Sequence, residues 1–457
     1  MAYTIFETFV GAGGAHIGFC KNGFISKYVN DIEPKCLETL TYNNPEIKQT
    51  AYIDNNSILD IKPEELLKKT NMNIGELDVF FGGIVCKGFS LAGEKSPNDE
   101  RNYFYHKQIE LVEKVQPKIS LIENVPGIIN AKVLALDTPL EIKEEVDLLW
   151  KELENFKGLK AKLRKENRIT PEIEEQGKVL RRKKEIILKN LEDNGYFVSV
   201  LEDIYTMYKR IGYKVSHKIL NAAWYGSSTK RERIIIVAVR EDIRAEFKFP
   251  IPFHMDDSLK RNLDKDLEPK VYQTPNTVNS ALSLIDYNND DDDLDNKPMN
   301  HAPKTVERFK YIPEGENIAK NIDKLPEHLK ISKFYSRGST MRLNGNKPSP
   351  TLVPGHSNFP VHPKEHRSIT VREAAVITGF PLEYKFFGSH SKRCEHVGNA
   401  VPPQLASALA KSCIQLLKQI DNKSLELISE PIVEKFNINS TTYVSKIPTL
   451  NEQTVHL

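Results

Sequence analysis

Several residue groups capable of chemistry sit at the ends of apolar runs. Cys86 follows Gly82-Gly83 and precedes Lys87-Gly88-Phe89-Ser90, a glycine-flanked setting in which a thiolate could attack an electrophilic carbon. By base rate a lone cysteine is more often an inert core residue. Glu123, in Glu123-Asn124-Val125-Pro126, closes the next apolar run and would bring an acid to the edge that holds the nucleophile. Arg231 and Arg233 flank Glu232, and a spacing of two in an extended segment aims both side chains one way, unless they are ordinary surface arginines. Gly11-x-Gly13-Gly14 lets backbone approach a ligand closely and opens a helix whose N-terminus favours an anionic group. His16 stands where a dinucleotide pattern needs glycine, so a nucleoside cofactor without pyrophosphate fits better. Asp31, ending the second apolar run, is placed to take both ribose hydroxyls; a tight turn with a capping aspartate is the plainer alternative.

These groups need a scaffold that gathers strand ends. Residues 3–10, Ile25 to Val29, Leu77 to Phe81 and Ile119 to Ile122 are short apolar runs ending in glycine-rich or polar turns, with helical segments between them. That alternation predicts an α/β fold: a parallel-rich, Rossmann-like sheet with its site at the carboxyl ends of the strands. The sheet pattern resumes at Lys214 to Leu220 and Ile234 to Val239, and helices are predicted over Val371 to Gly379 and Pro403 to Ile420.

The organisation expected from this pass is a catalytic and cofactor-binding domain over 1–240, a smaller irregular domain over 241–363, a return to the first domain over 364–420, and a tail over 421–457. A helical hairpin interrupts the first domain at about 139–193: Val146, Leu149, Leu153, Phe156 and Leu163 keep helical spacing in one arm, and Ile173, Leu180, Ile187 and Leu191 in the other. The basic run Arg181 to Lys184 reads as a solvated face ahead of a phosphate contact, and the acidic run Asp290 to Asp293 as a solvated loop.

Composition narrows the class. At 457 residues, 39% hydrophobic and 28% charged, the chain is a folded protein of two or three units rather than a disordered one. Its longest apolar run, Ile234 to Val239, is far short of the ~20 residues that cross a bilayer, and the N-terminus shows no secretory pattern, so no membrane association and a cytoplasmic location are expected. Five dispersed cysteines argue against a disulfide framework or a zinc ribbon. A net charge of +2 neither demands nor excludes a polyanionic partner.

Taken in order, Phe9-x-Gly11-x-Gly13-Gly14, Gly82-Gly83-x-x-Cys86-x-x-Phe89-Ser90, Glu123-Asn124-Val125, Arg231-x-Arg233, Thr370-Val371-Arg372-Glu373-Ala374-Ala375, Gly379-Phe380-Pro381 and Gly398-Asn399-Ala400-Val401-Pro402-Pro403 resemble the cytosine-C5 DNA methyltransferases of prokaryotic restriction and modification systems. The resemblance covers nearly the whole chain. It implies S-adenosyl-L-methionine as cofactor, with Asp31 on the ribose, Phe9 and Ile32 against the adenine, the Gly11, Gly13 and Gly14 loop beneath, and Asn399 closing the methionine side. Ser57 falls where the family often has an aspartate on the adenine amine. It further implies that Cys86 attacks C6 of a cytosine flipped out of double-stranded DNA, that Glu123 serves N3, that Arg233 holds O2, and that Arg231 and Asn124 orient the loop and the acid, with no metal. Lys87 and Ser90 would belong to the loop closing over the flipped base. The 241–363 region corresponds to the family's target-recognition domain, where Arg337 and Arg342 are the expected guanine contacts.

Two departures stand out. Ile84-Val85 and Lys87 replace the usual Pro-Pro and Gln around the cysteine, which loosens the loop and puts a charge beside the thiol. Ser228-Thr229 replaces the usual Pro-Gln before the first arginine. A monomer paired functionally with a restriction endonuclease is expected. A tRNA methyltransferase of the same fold and an inactive DNA-binding relative are the alternatives.

Overall fold

The structure, a computed structural model, describes residues 2–84, 96–166, 168–260, 262–287, 293–331, 340–353 and 359–422. Its centre is a seven-stranded sheet of β1 (Tyr3–Thr8), β2 (Phe24–Asn30), β3 (Tyr52–Asp54), β4 (Val79–Gly82), β5 (Ile119–Asn124), β8 (Tyr213–Asn221) and β9 (Glu232–Arg240), in the order β3-β2-β1-β4-β5-β9-β8. Strands β1 to β5 are mutually parallel, and β9 runs antiparallel to both neighbours. The chain leaves β1 toward β2 and β3, then returns to β4 on the other side. The switch point therefore lies between β1 and β4, where a parallel sheet opens a crevice for ligands.

Both faces of the sheet are covered. Along β9, Ile235, Val237 and Val239 enter one hydrophobic cluster, whereas Ile234, Ile236 and Ala238 enter the opposite one, the period of two that a strand imposes. The first face packs against the helices Gly14–Cys20 and Pro403–Asp421; a Cβ on Gly18 would stand 2.5 Å from that of Ala406, so this crossing requires glycine. The second face packs against the helices Phe104–Val115 and Val200–Arg210.

Between β5 and β8 the chain forms β6 (Lys132–Leu134), the helices Leu140–Lys165 and Pro171–Asp193, and β7 (Phe197–Ser199), which pairs antiparallel with β6. The two helices form a hairpin with its own small core of Val146, Leu149, Trp150, Leu180 and Leu191 on Leu134.

The described part of 241–363 consists mainly of short 3-10 turns, with the helices Val278–Leu282 and Pro303–Phe309. Phe309, Ile312, Ile318, Leu325, Leu329 and Val361 pack together there. Two expectations are corrected in this region. Arg342 is 4% exposed, and its guanidinium donates to the carbonyls of Phe309, Ile312, His362 and Glu365 at 2.6 to 2.7 Å. It ties separate loops together and has no surface to offer a guanine. Arg342→Gln is accordingly expected to cost about 2–4 kcal/mol in urea unfolding, because buried carbonyls lose a charged donor, while the methylated DNA sequence stays the same. Asp293 is likewise no free loop charge: it accepts from Arg372 Nε at 2.7 Å, and the neighbouring Asp295 binds Arg393 at 2.7 Å. Arg337 and Asp290 to Asp292 lie outside the described residues.

Candidate active site

Immediately after β1, Phe9 turns the chain in the left-handed region (φ 53°), which a non-glycine side chain rarely adopts. Gly11 and Gly13 follow at φ 58° and 89°, and Gly13 caps the helix Gly14–Cys20. Space is as restrictive as conformation: a Cβ on Gly14 would meet the Val401 carbonyl oxygen at 2.3 Å, and one on Gly13 would meet Tyr384 Oη at 2.7 Å. Tyr384 donates to the Ala12 carbonyl at 2.7 Å, so the last third of the chain clamps the glycine loop from behind. No side chain intervenes at Gly11, where a Cβ would meet nothing within 4 Å. The result is a cradle of bare backbone beside the switch point.

The Asp31 carboxylate accepts from the Gly11 amide at 2.8 Å and from the Glu33 amide at 2.9 Å, which fixes its orientation. Burial pushes its pKa up, opposed by the same two amides. Ile32 beside it is 65% exposed, a large apolar side chain turned to solvent at the cradle's rim. Ser57 Oγ caps the turn Ile58–Asp60 through the Leu59 amide at 3.3 Å. Asn399 is exposed at the end of the helix His390–Asn399. Phe104, which sequence reasoning missed, stacks on Phe9 with ring centroids 5.7 Å apart. An aromatic residue opening a helix after a loop carries no pattern that would have flagged it.

Across the crevice, Glu123 and Asn124 end β5. Because β9 is antiparallel and Asn124 registers with Ile234, Arg233 falls level with the tip of β5. Its Nε binds Glu123 Oε1 at 2.6 Å, in a pair whose side chains are 10% and 9% exposed. The second carboxylate oxygen faces Gly83, 3.6 Å from where a Cβ would stand. Asn124 donates to the Ile84 carbonyl at 3.3 Å and accepts from the Val125 amide at 2.8 Å, tethering the chain just before Cys86. Arg231 is buried at 4% exposure, and its carbonyl accepts from Ala222. Ser228 to Lys230 run beside Ser349 and Pro350 through Lys230 N to Ser349 O at 2.7 Å and Ser349 N to Ser228 O at 2.8 Å, so backbone contacts link the arginine segment to the irregular region. Glu123, Arg233 and Asn124 are thus gathered at the mouth of the segment that carries Cys86. Cys86, Lys87 and Ser90 themselves lie outside the described residues.

Beneath the cradle lies a buried polar cluster that the sequence reading also missed. Glu7 and His16 are both fully buried, with Nδ1 to Oε2 at 2.7 Å, and Ser26 donates to the same oxygen. A glutamate directly after Ile5-Phe6 in a buried parallel strand was the available signal. Burial alone would lower the His16 pKa, but the Glu7 charge and the hydrogen bonds that the ring makes with Cys20 and Glu7 raise it to about 10. A folded-state value above the ordinary ~6.5 means that the pair's stabilisation is complete below about pH 6.5 and is lost as pH rises through about 10. Thermal melts from pH 6 to 10 should therefore fall more steeply in the wild type than in a Glu7→Gln, His16→Gln double variant; parallel profiles would remove this assignment.

The whole chain, with this crevice in it, is similar to known proteins. The family model described as C-5 cytosine-specific DNA methylase matches residues 3–147 and 153–415. The Type II methyltransferase M1.HphI of Haemophilus parahaemolyticus is 26% identical over 91% of this chain and 88% of its own, and M.NgoFVII of Neisseria gonorrhoeae is 26% identical over 97% and 94%. Among solved structures, a candidate DNA modification methyltransferase encoded within a prophage of E. coli superposes with a TM-score of 0.59 at 20% identity, covering 91% of this chain and all of that one. With the match running through every strand of the sheet and both sides of the crevice, the chain belongs to the C-5 cytosine-specific DNA methylase family.

Proposed function

We propose that this enzyme methylates C5 of a cytosine within one short sequence of double-stranded DNA, as the protective partner of a restriction endonuclease, acting as a cytoplasmic monomer. The observation that carries this reading is the Glu123–Arg233 pair at the mouth of the Cys86 segment, directly across from the glycine cradle. Among the described residues no helix is long and apolar enough to cross a membrane.

The cradle suits S-adenosylmethionine. Bare backbone at Gly11 to Gly14 admits the methionine portion, the oriented Asp31 carboxylate keeps lone pairs for ribose hydroxyls, and the exposed Ile32 and the Phe9–Phe104 stack offer apolar surface to a purine. Asn399 stands at the methionine end and Ser57 near the adenine end. When bound, the cofactor supplies an electrophilic methyl group.

The chain's own residues make the cytosine reactive. The Cys86 thiolate adds to C6, and the bond electrons delocalise onto C5 and the N3 side of the ring. Glu123, held by Arg233 through one oxygen, carries a proton on the other and donates it to N3, which relieves that charge. Arg233, with Arg231 beside it, faces O2. C5 takes the methyl group as its bond to the donor sulfonium would break to leave a neutral thioether; C5 then loses its proton to a base, and the C6–sulfur bond breaks to release 5-methylcytosine and the Cys86 thiolate. The base must first leave the helix stack at a cost of a few kcal/mol; Lys87 and Ser90 would close the loop over it.

Base-resolution 5-methylcytosine sequencing of DNA from a methylation-free host expressing the chain tests the reading. Methylation confined to one short motif is the expected result. Unmethylated DNA from a host containing folded protein would overturn it, and methylated tRNA in the same cells would move the assignment to RNA.

A further inference from the structure

The hairpin is rooted beside the catalytic segment. Residues that follow the Cys86 segment bind its base: Pro97 O accepts from Leu134 N at 3.3 Å, Tyr103 Oη donates to Leu134 O at 2.8 Å, and Asn98 Nδ2 donates to Asp147 Oδ2 at 2.9 Å. Beyond the small core at its root the two helices pack on each other, as where Phe156 covers Gly177, and most of their side chains are exposed. The first arm alone is 26 residues, about 39 Å of helix.

The outer half carries more bases than acids. From 155 to 165 and from 176 to 184 neither arm carries an acidic residue, and the acids Glu166, Glu172, Glu174 and Glu175 are confined to the tip between them. Lys157, Lys160 and Arg164 repeat at i, i+3 and i+7 and so share one face of the first arm. Across the hairpin, Lys160 binds Glu174 at 2.8 Å. That hydrogen bond, with the charges of Arg181 and Arg164 behind it, holds the Glu174 carboxyl below its usual range, which places cations of both arms around one acid. Lys178 and Lys183 likewise meet Glu175 at 3.0 Å and Glu152 at 3.7 Å, but cations still outnumber acids on these stretches, a surplus that an outside anion would offset.

We propose that this face of the hairpin grips the phosphate backbone of the duplex flanking the target cytosine, a second DNA contact outside the crevice. A polyanion of evenly spaced charges complements a cationic stripe along a helix, and the arm starts beside the residues that follow the Cys86 segment. The inference rests on the DNA reading above.

The test measures binding of the full chain to random-sequence duplexes of about 12 and about 40 base pairs across a salt series, for wild type, for a Lys157→Gln, Lys160→Gln, Arg164→Gln triple variant, and for Arg181→Gln. Each lost phosphate contact removes about 0.9 from the slope of log affinity against log salt. The triple variant should lose about 2 to 3 in slope and about tenfold or more in affinity on the long duplex, with little change on the short one, and Arg181→Gln should lose about 1 in slope on the long duplex. Variants that melt like wild type yet match its slope and affinity on the long duplex overturn the inference and leave the DNA reading standing. Wild-type protein that binds neither duplex overturns both.

Discussion

Cys86→Ser is expected to abolish methyl transfer, by about 10⁴-fold or more, with folding and cofactor binding unchanged. The oxygen nucleophile is far less ionised than a thiol at neutral pH, and without addition at C6 the C5 position has no electron density to accept a methyl group. The segment is anchored at both ends by groups other than the thiol: Asn124 on the Ile84 carbonyl before it, Pro97 and Asn98 on the hairpin root after it. Exchanging sulfur for oxygen should therefore leave the crevice intact. A duplex carrying 5-fluorocytosine in the target motif separates the causes. Fluorine blocks loss of the C5 substituent, so wild-type protein should accumulate a covalent adduct stable to denaturation, and Cys86→Ser should form none. An adduct in the serine variant would place the nucleophile elsewhere.

The second large effect concerns the buried pair at the tip of β5. Arg233→Ala leaves the Glu123 carboxylate in a site of low exposure without its 2.6 Å partner, and breaking a buried pair from one side costs about 3–5 kcal/mol. Glu123→Gln leaves the Arg233 charge without its anion but keeps the shape and a neutral oxygen to accept from Nε, so it should cost less than Arg233→Ala while turnover falls about 10²–10⁴-fold through loss of the group proposed to serve N3. The two substitutions act on one unit. Glu123→Gln combined with Arg233→Ala should be more stable than Arg233→Ala alone, because the unpaired charge is gone, and no more active than either single variant. Urea unfolding with single-turnover methylation would show this crossing of stability and activity; additive losses in both would mean that the pair is not coupled.

Much of this candidate site is legible in the sequence because chemistry and backbone conformation share the same residues. Gly11, Gly13 and Gly14 advertise a turn and a close approach, and Glu123-Asn124 and Arg231-x-Arg233 border the apolar runs that became β5 and β9. What escaped was set by contacts distant in sequence. The strands β3, β6 and β7 span three residues each, too short for a period of two to register. The helix His390–Asn399 is mostly polar, and its buried side rests on Arg393, Cys394 and Val397 rather than on an apolar stripe. Arg342 misled for the same reason: an arginine among glycines and serines is an ordinary sign of nucleic-acid contact, and only the fold brings carbonyls from 309 to 365 around it. The Phe9–Phe104 stack likewise joins residues far apart in the chain, which no local pattern encodes.

The clasp formed by β6 and β7 has a consequence for how such an enzyme can be remodelled. Leu134 and Phe197 face each other as the last pair of an antiparallel ladder, so the chain enters and leaves the hairpin through two adjacent points. Topologically, both arms are one oversized loop of a β-hairpin, and a two-residue turn could close the same ladder. Arms of other lengths that keep Asp147 can then be exchanged at this port without disturbing the register of β5 against β9. The part of the molecule proposed to reach along DNA can in this way be lengthened, shortened or transplanted as long as Asp147 stays to hold Asn98 at its root.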